Sequence, residues 1–160
     1  MTTSVCIKVS NLRKLKRPFA SLREWMKDPN NIYVGRQGRI FIDGKIFHYK
    51  GSKWQNPYKV TKEMPLKKSL RMYLSHLFRG AADPKGSSKS LISQIEELRG
   101  KTLGCFCEIK HKKIDGKYVV MCHAQLLADI LEKCDLGAVL PFGSATPLVV
   151  RRAGSGAGIH

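Results

Sequence analysis

The sequence predicts an α/β protein: a compact single domain with helices packed on a mixed sheet and two inserted β-hairpins. Three observations carry that expectation. Strand-like and helix-like stretches alternate along the chain. Two Asp-Gly pairs sit between strand-like runs, the local signal of tight hairpins. The 160 residues, 42% of them hydrophobic, suffice for one core without disulfides.

Val5, Ile7 and Val9 alternate with Cys6, Lys8 and Ser10, the period of a half-buried strand, and Asn11 to Arg17 reads as its basic exit. Ser21-Leu22-Arg23-Glu24 has capping-box spacing, with Leu22, Trp25 and Met26 as the stripe of a short helix. Asp28-Pro29-Asn30-Asn31 should end it, because proline cannot continue the ladder. Asn31 to Arg36 is dense in β-branched and aromatic residues and reads as a second strand. Arg39 to Lys50 then reads as a hairpin about Asp43-Gly44, and Gly51 to Tyr58 as a loop.

Leu66, Leu70, Tyr73, Leu74, Leu77 and Phe78 share one helical face. Leu91, Ile92, Ile95 and Leu98 share another, with Gly100 placed to cap it. Thr102 to Cys107 reads as a buried strand, followed by a hairpin about Asp115-Gly116. A two-residue turn there would set Ile109 opposite Cys122. His123, Leu126, Leu127, Ile130, Leu131 and Cys134 follow helical spacing, so the last helix should begin at His123. The domain is expected over residues 1–135. Residues 136–160 form a C-terminal extension whose Gly-rich end is expected to be flexible.

Charge narrows the function classes. Lys and Arg number 29 against 12 Asp and Glu, a net +17. Residues 1–80 hold 18 basic and 4 acidic side chains, residues 81–160 hold 11 and 8, so +14 lies in the first half. Such a field draws polyanions and speeds their encounter, which makes nucleic acid or a nucleotide the expected partner. No apolar run approaches the ~20 residues of a membrane span, and the N-terminus lacks the apolar core of a secretory signal. Five cysteines, three of them grouped, point to a reducing intracellular compartment, cytoplasmic or nuclear. Walker, Rossmann and nucleophile-elbow motifs are absent.

Two constellations carry chemistry. Cys105 and Cys107 lie two apart on a strand and so share a face. The following hairpin can fold Cys122 and His123 back onto them. Three thiolates and an imidazole are the donor set of a closed tetrahedral zinc site, with His111 as the rival fourth ligand. The same residues admit a catalytic use, since a helix start favours thiolate at Cys122. The second constellation is the loop Gly51 to Tyr58. Ser52 and Lys53 can bind phosphate, Trp54 or Tyr58 can stack on a base, and Asn56 can read an edge. The alternative is a turn whose Trp54 plugs the core. Asn11, Arg13 and Arg36 stand where the predicted strands end, the place where ligands collect in open α/β sheets.

Four stretches in order resemble a family of small proteins from bacteria, phages and some large DNA viruses, known as a domain of unknown function. They are Asn11-Leu12-Arg13, Tyr33-Val34-Gly35-Arg36, Ser52-Lys53-Trp54-Gln55-Asn56-Pro57-Tyr58, and Leu103-Gly104-Cys105-Phe106-Cys107 with Cys122-His123. The resemblance spans about residues 5–134 and implies that Arg13, Arg36 and the loop's polar residues share one ligand pocket. Gln55 stands where the family has glycine, and Tyr58 where it has phenylalanine. The Arg39–Lys50 hairpin and the lysine-rich spacer before Cys122 are longer than the family pattern.

The expectation is thus an intracellular, zinc-stapled basic protein. It would bind nucleic acid or a nucleotide-like phosphate ligand through Asn11, Arg13, Arg36, Ser52, Lys53, Trp54 and Asn56. An enzyme acting on a nucleotide or modified nucleoside is the alternative, and it requires the loop and the Cys/His cluster to share one pocket. A structural or virion-type interaction protein is the third, with partners docking on the inserts or the C-terminal extension.

Overall fold

Three parallel strands form the centre, in the order β1 (Thr3–Cys6), β5 (Thr102–Cys105) and β2 (Asn31–Tyr33). The structure, a computed structural model, describes residues 1–79, 90–107, 112–114, 117–119 and 122–135, with backbone alone for 112–114, 117–119 and residue 135. The C-terminal extension, His111 and Ile109 lie outside the described residues.

The middle strand shows why the sheet takes this form. Leu103 and Cys105 face a large core together with Val34, Trp54, Tyr73 and residues of the later helices. Gly104, pointing the other way, meets a smaller core of Ile7, Leu12, Leu22 and Trp25. A Cβ on Gly104 would collide with the Trp25 ring and lie 2.6 Å from Ile7 Cγ2. Glycine therefore lets the tryptophan lie flat against the strand.

Helices cover both faces. The first strand ends at Cys6, earlier than its alternation predicts. Ile7 still donates to the Cys105 carbonyl at 2.9 Å, and the chain then turns into α1 (Val9–Leu12). Val9 and Leu12 stand three apart, and complete burial of Leu12 in the smaller core outweighs the strand pattern. In α2 (Leu22–Lys27) the expected cap is present. Ser21 Oγ accepts the Glu24 N–H at 3.2 Å, and the Glu24 carboxylate accepts the Ala20 N–H at 2.8 Å.

The hairpin of β3 (Gly38–Ile42) and β4 (Lys45–Tyr49) pairs Ile42 with Lys45. Asp43 and Gly44 both adopt positive φ, 50° and 72°, as a type I′ turn requires. Ile40, Phe47 and Tyr49 pack on the smaller core, while Phe41 on the opposite face is 74% exposed. The amphipathic helix α3 (Leu66–Phe78) buries Leu70, Tyr73 and Leu77. Leu91–Leu98 forms a 3₁₀ helix, and Gly100 follows it with φ 72°. The second hairpin, β6 (Lys112–Ile114) and β7 (Lys117–Val119), pairs Ile114 with Lys117, the register a two-residue turn demands. The last helix, α4 (His123–Asp135), begins at His123 as its spacing predicts and buries Leu126, Leu127, Ile130 and Leu131. Among the described residues, no helix is long and apolar enough to cross a membrane.

Candidate functional site

Parallel strands bring their carboxyl ends to one edge of the sheet, and the cysteines collect there. Cys105 closes β5, Cys107 follows two residues on, and Cys122 stands immediately before α4. Their three sulfurs all lie within 4.8 Å of one another, and Cys105 Sγ is 3.8 Å from Cys122 Sγ. Tetrahedral Zn–S bonds of ~2.3 Å imply sulfur–sulfur edges of about 3.8 Å, so the donor set fits a thiolate-bound metal. Cys6 and Cys134 stay outside the group, the first in the core and the second packed against it.

His123 stands beside this group without being part of it. Its Nε2 donates to the Val34 carbonyl at 2.7 Å, and its ring meets Tyr73 edge-on at 5.7 Å. Anchoring Nε2 leaves Nδ1 as the nitrogen available to a metal, the usual arrangement of a histidine ligand held by a backbone carbonyl.

Charge within the cluster concentrates on one sulfur. Hydrogen bonds from Cys105, then Cys122 and His123, draw the Cys107 thiol well below its ordinary range. Cys105, hydrogen-bonded to Cys107 and Cys122 and buried, is pushed far up. At Cys122 the bond with Cys105 lowers the pKa, but the bond with Cys107 and burial raise it to about 11 overall. The hydrogen bonds within the cluster therefore favour thiolate at Cys107 over Cys122, although the position of Cys122 before a helix points to it there.

The cluster opens into a cleft of about 430 Å³, within the roughly 300–1,000 Å³ of small-molecule sites. Cys105, Cys107, Cys122 and His123 line it together with Arg36, Asn56, Tyr58 and Lys59 and the aromatic rings of Tyr33, Tyr49 and Phe106. Arg36 is held by its own neighbours: Nε and Nη2 donate to the Asn56 carbonyl at 3.1 and 2.8 Å. The Tyr33 hydroxyl donates to the Arg36 carbonyl, and burial pushes that phenol up so that it remains a neutral donor. Among the described residues no carboxylate lines the cleft and none pairs with Arg36.

Of the seven residues expected to bind a ligand, Arg36 and Asn56 line this cleft. Asn11 and Arg13 do not, because the early end of β1 places Asn11 in α1 and Arg13 at its exposed C-cap. The first part of the loop turns away. Ser52 N–H donates to the Gly35 carbonyl, and its Oγ accepts the Trp54 N–H at 3.1 Å. Trp54 is 1% exposed, so the base-stacking role is corrected to that of a core plug. Its indole N–H donates to Glu97, and its carbonyl accepts the Tyr73 hydroxyl at 2.6 Å. Lys53 Nζ lies 5.3 Å over the Trp54 ring and pairs with Glu97 at 2.8 Å. Burial acts to raise the Glu97 carboxyl, but hydrogen bonds from Lys53 and Trp54 outweigh it and hold the pKa below its ordinary value.

The Asn56 side chain is likewise spent inside the protein, donating to Ser69 Oγ at 2.9 Å and accepting the Tyr58 N–H at 2.8 Å. Asn56 shapes the wall of the cleft and presents its backbone carbonyl to Arg36. Sequence reasoning missed Tyr33, Tyr49, Lys59 and Phe106 as cleft residues. Phe106, between two cysteines, and Tyr33, three before Arg36, carried the available signal. Tyr49 carried none, since only the packing of the hairpin brings it here.

A family model described as "Domain of unknown function (DUF4326)" matches residues 19–133, a span that includes every residue lining the cleft. An uncharacterized protein of Acanthamoeba polyphaga mimivirus is 28% identical over 106 residues, covering 66% of this chain and 72% of that protein. No solved structure matches. The chain belongs to the DUF4326 family.

Proposed function

We propose that this chain binds a nucleotide-like, phosphate-bearing ligand in the cleft, beside a zinc ion held by Cys105, Cys107, Cys122 and His123. One observation carries the reading: Arg36, Asn56 and Lys59 share a single cleft with the three cysteines, and no carboxylate lines it among the described residues. An exposed guanidinium and an exposed ammonium without a carboxylate at the cleft form a site for an anion, and Arg36 suits phosphate geometry. The position outside the carboxyl ends of parallel strands is where α/β sheets take such ligands. The basic first half of the chain would raise the local concentration of nucleotides and nucleic acid alike.

The shared cleft also favours a second reading, an enzyme acting on a nucleotide or modified nucleoside. Four protein ligands would make the metal centre a closed staple. Three would leave a coordination position open, where zinc supplies Lewis acidity.

Calorimetric titration with ADP tests the binding reading. Affinity should fall as salt rises, and Arg36→Ala should weaken it about tenfold or more, as loss of a charge-assisted bond implies. ADP binding that is absent, or indifferent to both salt and Arg36→Ala, would sink it.

A further inference from the structure

We propose that Tyr49 and Phe106 form a stacking wall for a planar base, so that the cleft takes a mononucleotide rather than a bare phosphate. This rests on the phosphate-ligand reading above and assigns the residues that recognise the rest of the molecule. The β3–β4 hairpin thereby contributes a specificity-determining residue to the site.

The wall is built from three parts of the chain. Tyr33 ends β2, Tyr49 ends β4, and Phe106 follows β5. Tyr49 lies 5.7 Å from Phe106 and 6.3 Å from Phe47, each pair tilted by 33°, so a further planar ring would extend this row at Phe106. Tyr33 packs edge-on to Tyr49 and Phe106, at 5.4 and 6.3 Å, and fixes them from the side. All three line the cleft and are only half-buried. Their inner edges rest on the smaller core, which holds the rings in place.

Two glycines make room for these rings. A Cβ on Gly38 would collide with the Tyr49 hydroxyl, and one on Gly35 would lie 2.5 Å from the Tyr33 hydroxyl. The ring tips therefore lie directly on backbone, beside the Arg36 and Lys59 that line the same space. Aromatic rings sharing a cleft with Arg36 and Lys59, and with no carboxylate among its described residues, match a ligand with a flat, apolar-faced end and an anionic end. A nucleotide has both. The only tryptophan on the loop, Trp54, is buried, so these rings supply the stacking surface instead. The cleft's volume of about 430 Å³ accommodates one nucleotide.

The test titrates the full chain with AMP, ribose 5-phosphate and a single-stranded tetranucleotide. AMP should bind at least tenfold more tightly than ribose 5-phosphate. Tyr49→Leu and Phe106→Leu should each weaken AMP by about five- to a hundredfold, the range of single base–aromatic stacks, and leave ribose 5-phosphate unchanged. Saturation-transfer NMR on the unmodified protein gives a second reading that needs no variant: the base protons should receive more saturation than the ribose protons. Equal affinity for AMP and ribose 5-phosphate, with Tyr49→Leu inert, would overturn the stacking wall and leave the phosphate site standing. Binding of neither would overturn both. A tetranucleotide that displaces AMP with higher affinity would overturn the mononucleotide assignment.

Discussion

The loop from Gly51 to Tyr58 and the Cys/His cluster each depart from what their compositions imply. The loop holds a tryptophan, a lysine, a serine and an asparagine, the make-up of a recognition element, yet its first half is a clasp. Trp54 fills the core, Lys53 closes over it onto Glu97, and Ser52 ties the turn to Gly35. The cluster has the make-up of a buried staple, yet Cys107 is exposed and the group opens into the cleft. Side-chain type states what a residue can do. Which side of the chain faces solvent decides what it does.

Trp54 and Arg36 should therefore separate stability from binding, while the metal cluster contributes to both. The largest effect should come from the cluster. Cys122→Ser, or a chelator, should release stoichiometric zinc and lower the thermal midpoint by about 10 °C or more, given ~2–4 °C per kcal/mol at this size. Protein that carries no metal and melts unchanged with chelator would end the metal assignment.

Trp54→Ala should cost about 3–5 kcal/mol in denaturant unfolding, the range for deleting a large buried aromatic. Arg36→Ala should stay within about 1 kcal/mol for stability while weakening ligand binding. The reverse pattern, with Trp54→Ala folding normally and losing ligand, would restore the loop as the recognition element. Gly104→Ala comes next, at about 1–3 kcal/mol, because its methyl must displace the Trp25 ring.

The smallest effect is the clasp's dependence on pH. Glu97 has a lowered pKa in the folded state, so its contribution is complete above the ordinary value of 4.5 and is lost as acid carries the pH down through the folded value. Its side chain is 43% exposed, so the contribution is about 0.5 kcal/mol or less. Glu97→Gln should flatten the acid limb of the stability curve by that amount. A curve unchanged by the substitution would show that Lys53 clasps Trp54 without it.

Much of the fold was legible because local rules sufficed. The Asp43-Gly44 hairpin, the Ser21 cap, the Gly100 turn and the start of α4 each follow from a few adjacent residues whose backbone preferences agree with their burial. The end of β1 was not legible. Val5, Ile7 and Val9 alternate as a strand, while Val9 and Leu12 are spaced as a helix, and only the pocket that Trp25 and Leu22 offer to Leu12 decides between them. That decision also removes Asn11 and Arg13 from the cleft.

The sequence by itself determined the donor chemistry: three grouped cysteines with a histidine, a large excess of positive charge, and a strand-like stretch that ends at Arg36. Periodicity and residue type settle these because they depend on near neighbours. Tertiary structure alone decided that Trp54 turns inward, that Tyr49 reaches the cleft from a hairpin, and that Asn56 and Cys122 line the same space. Those outcomes depend on how separate segments share buried volume, a quantity that no local window of sequence contains.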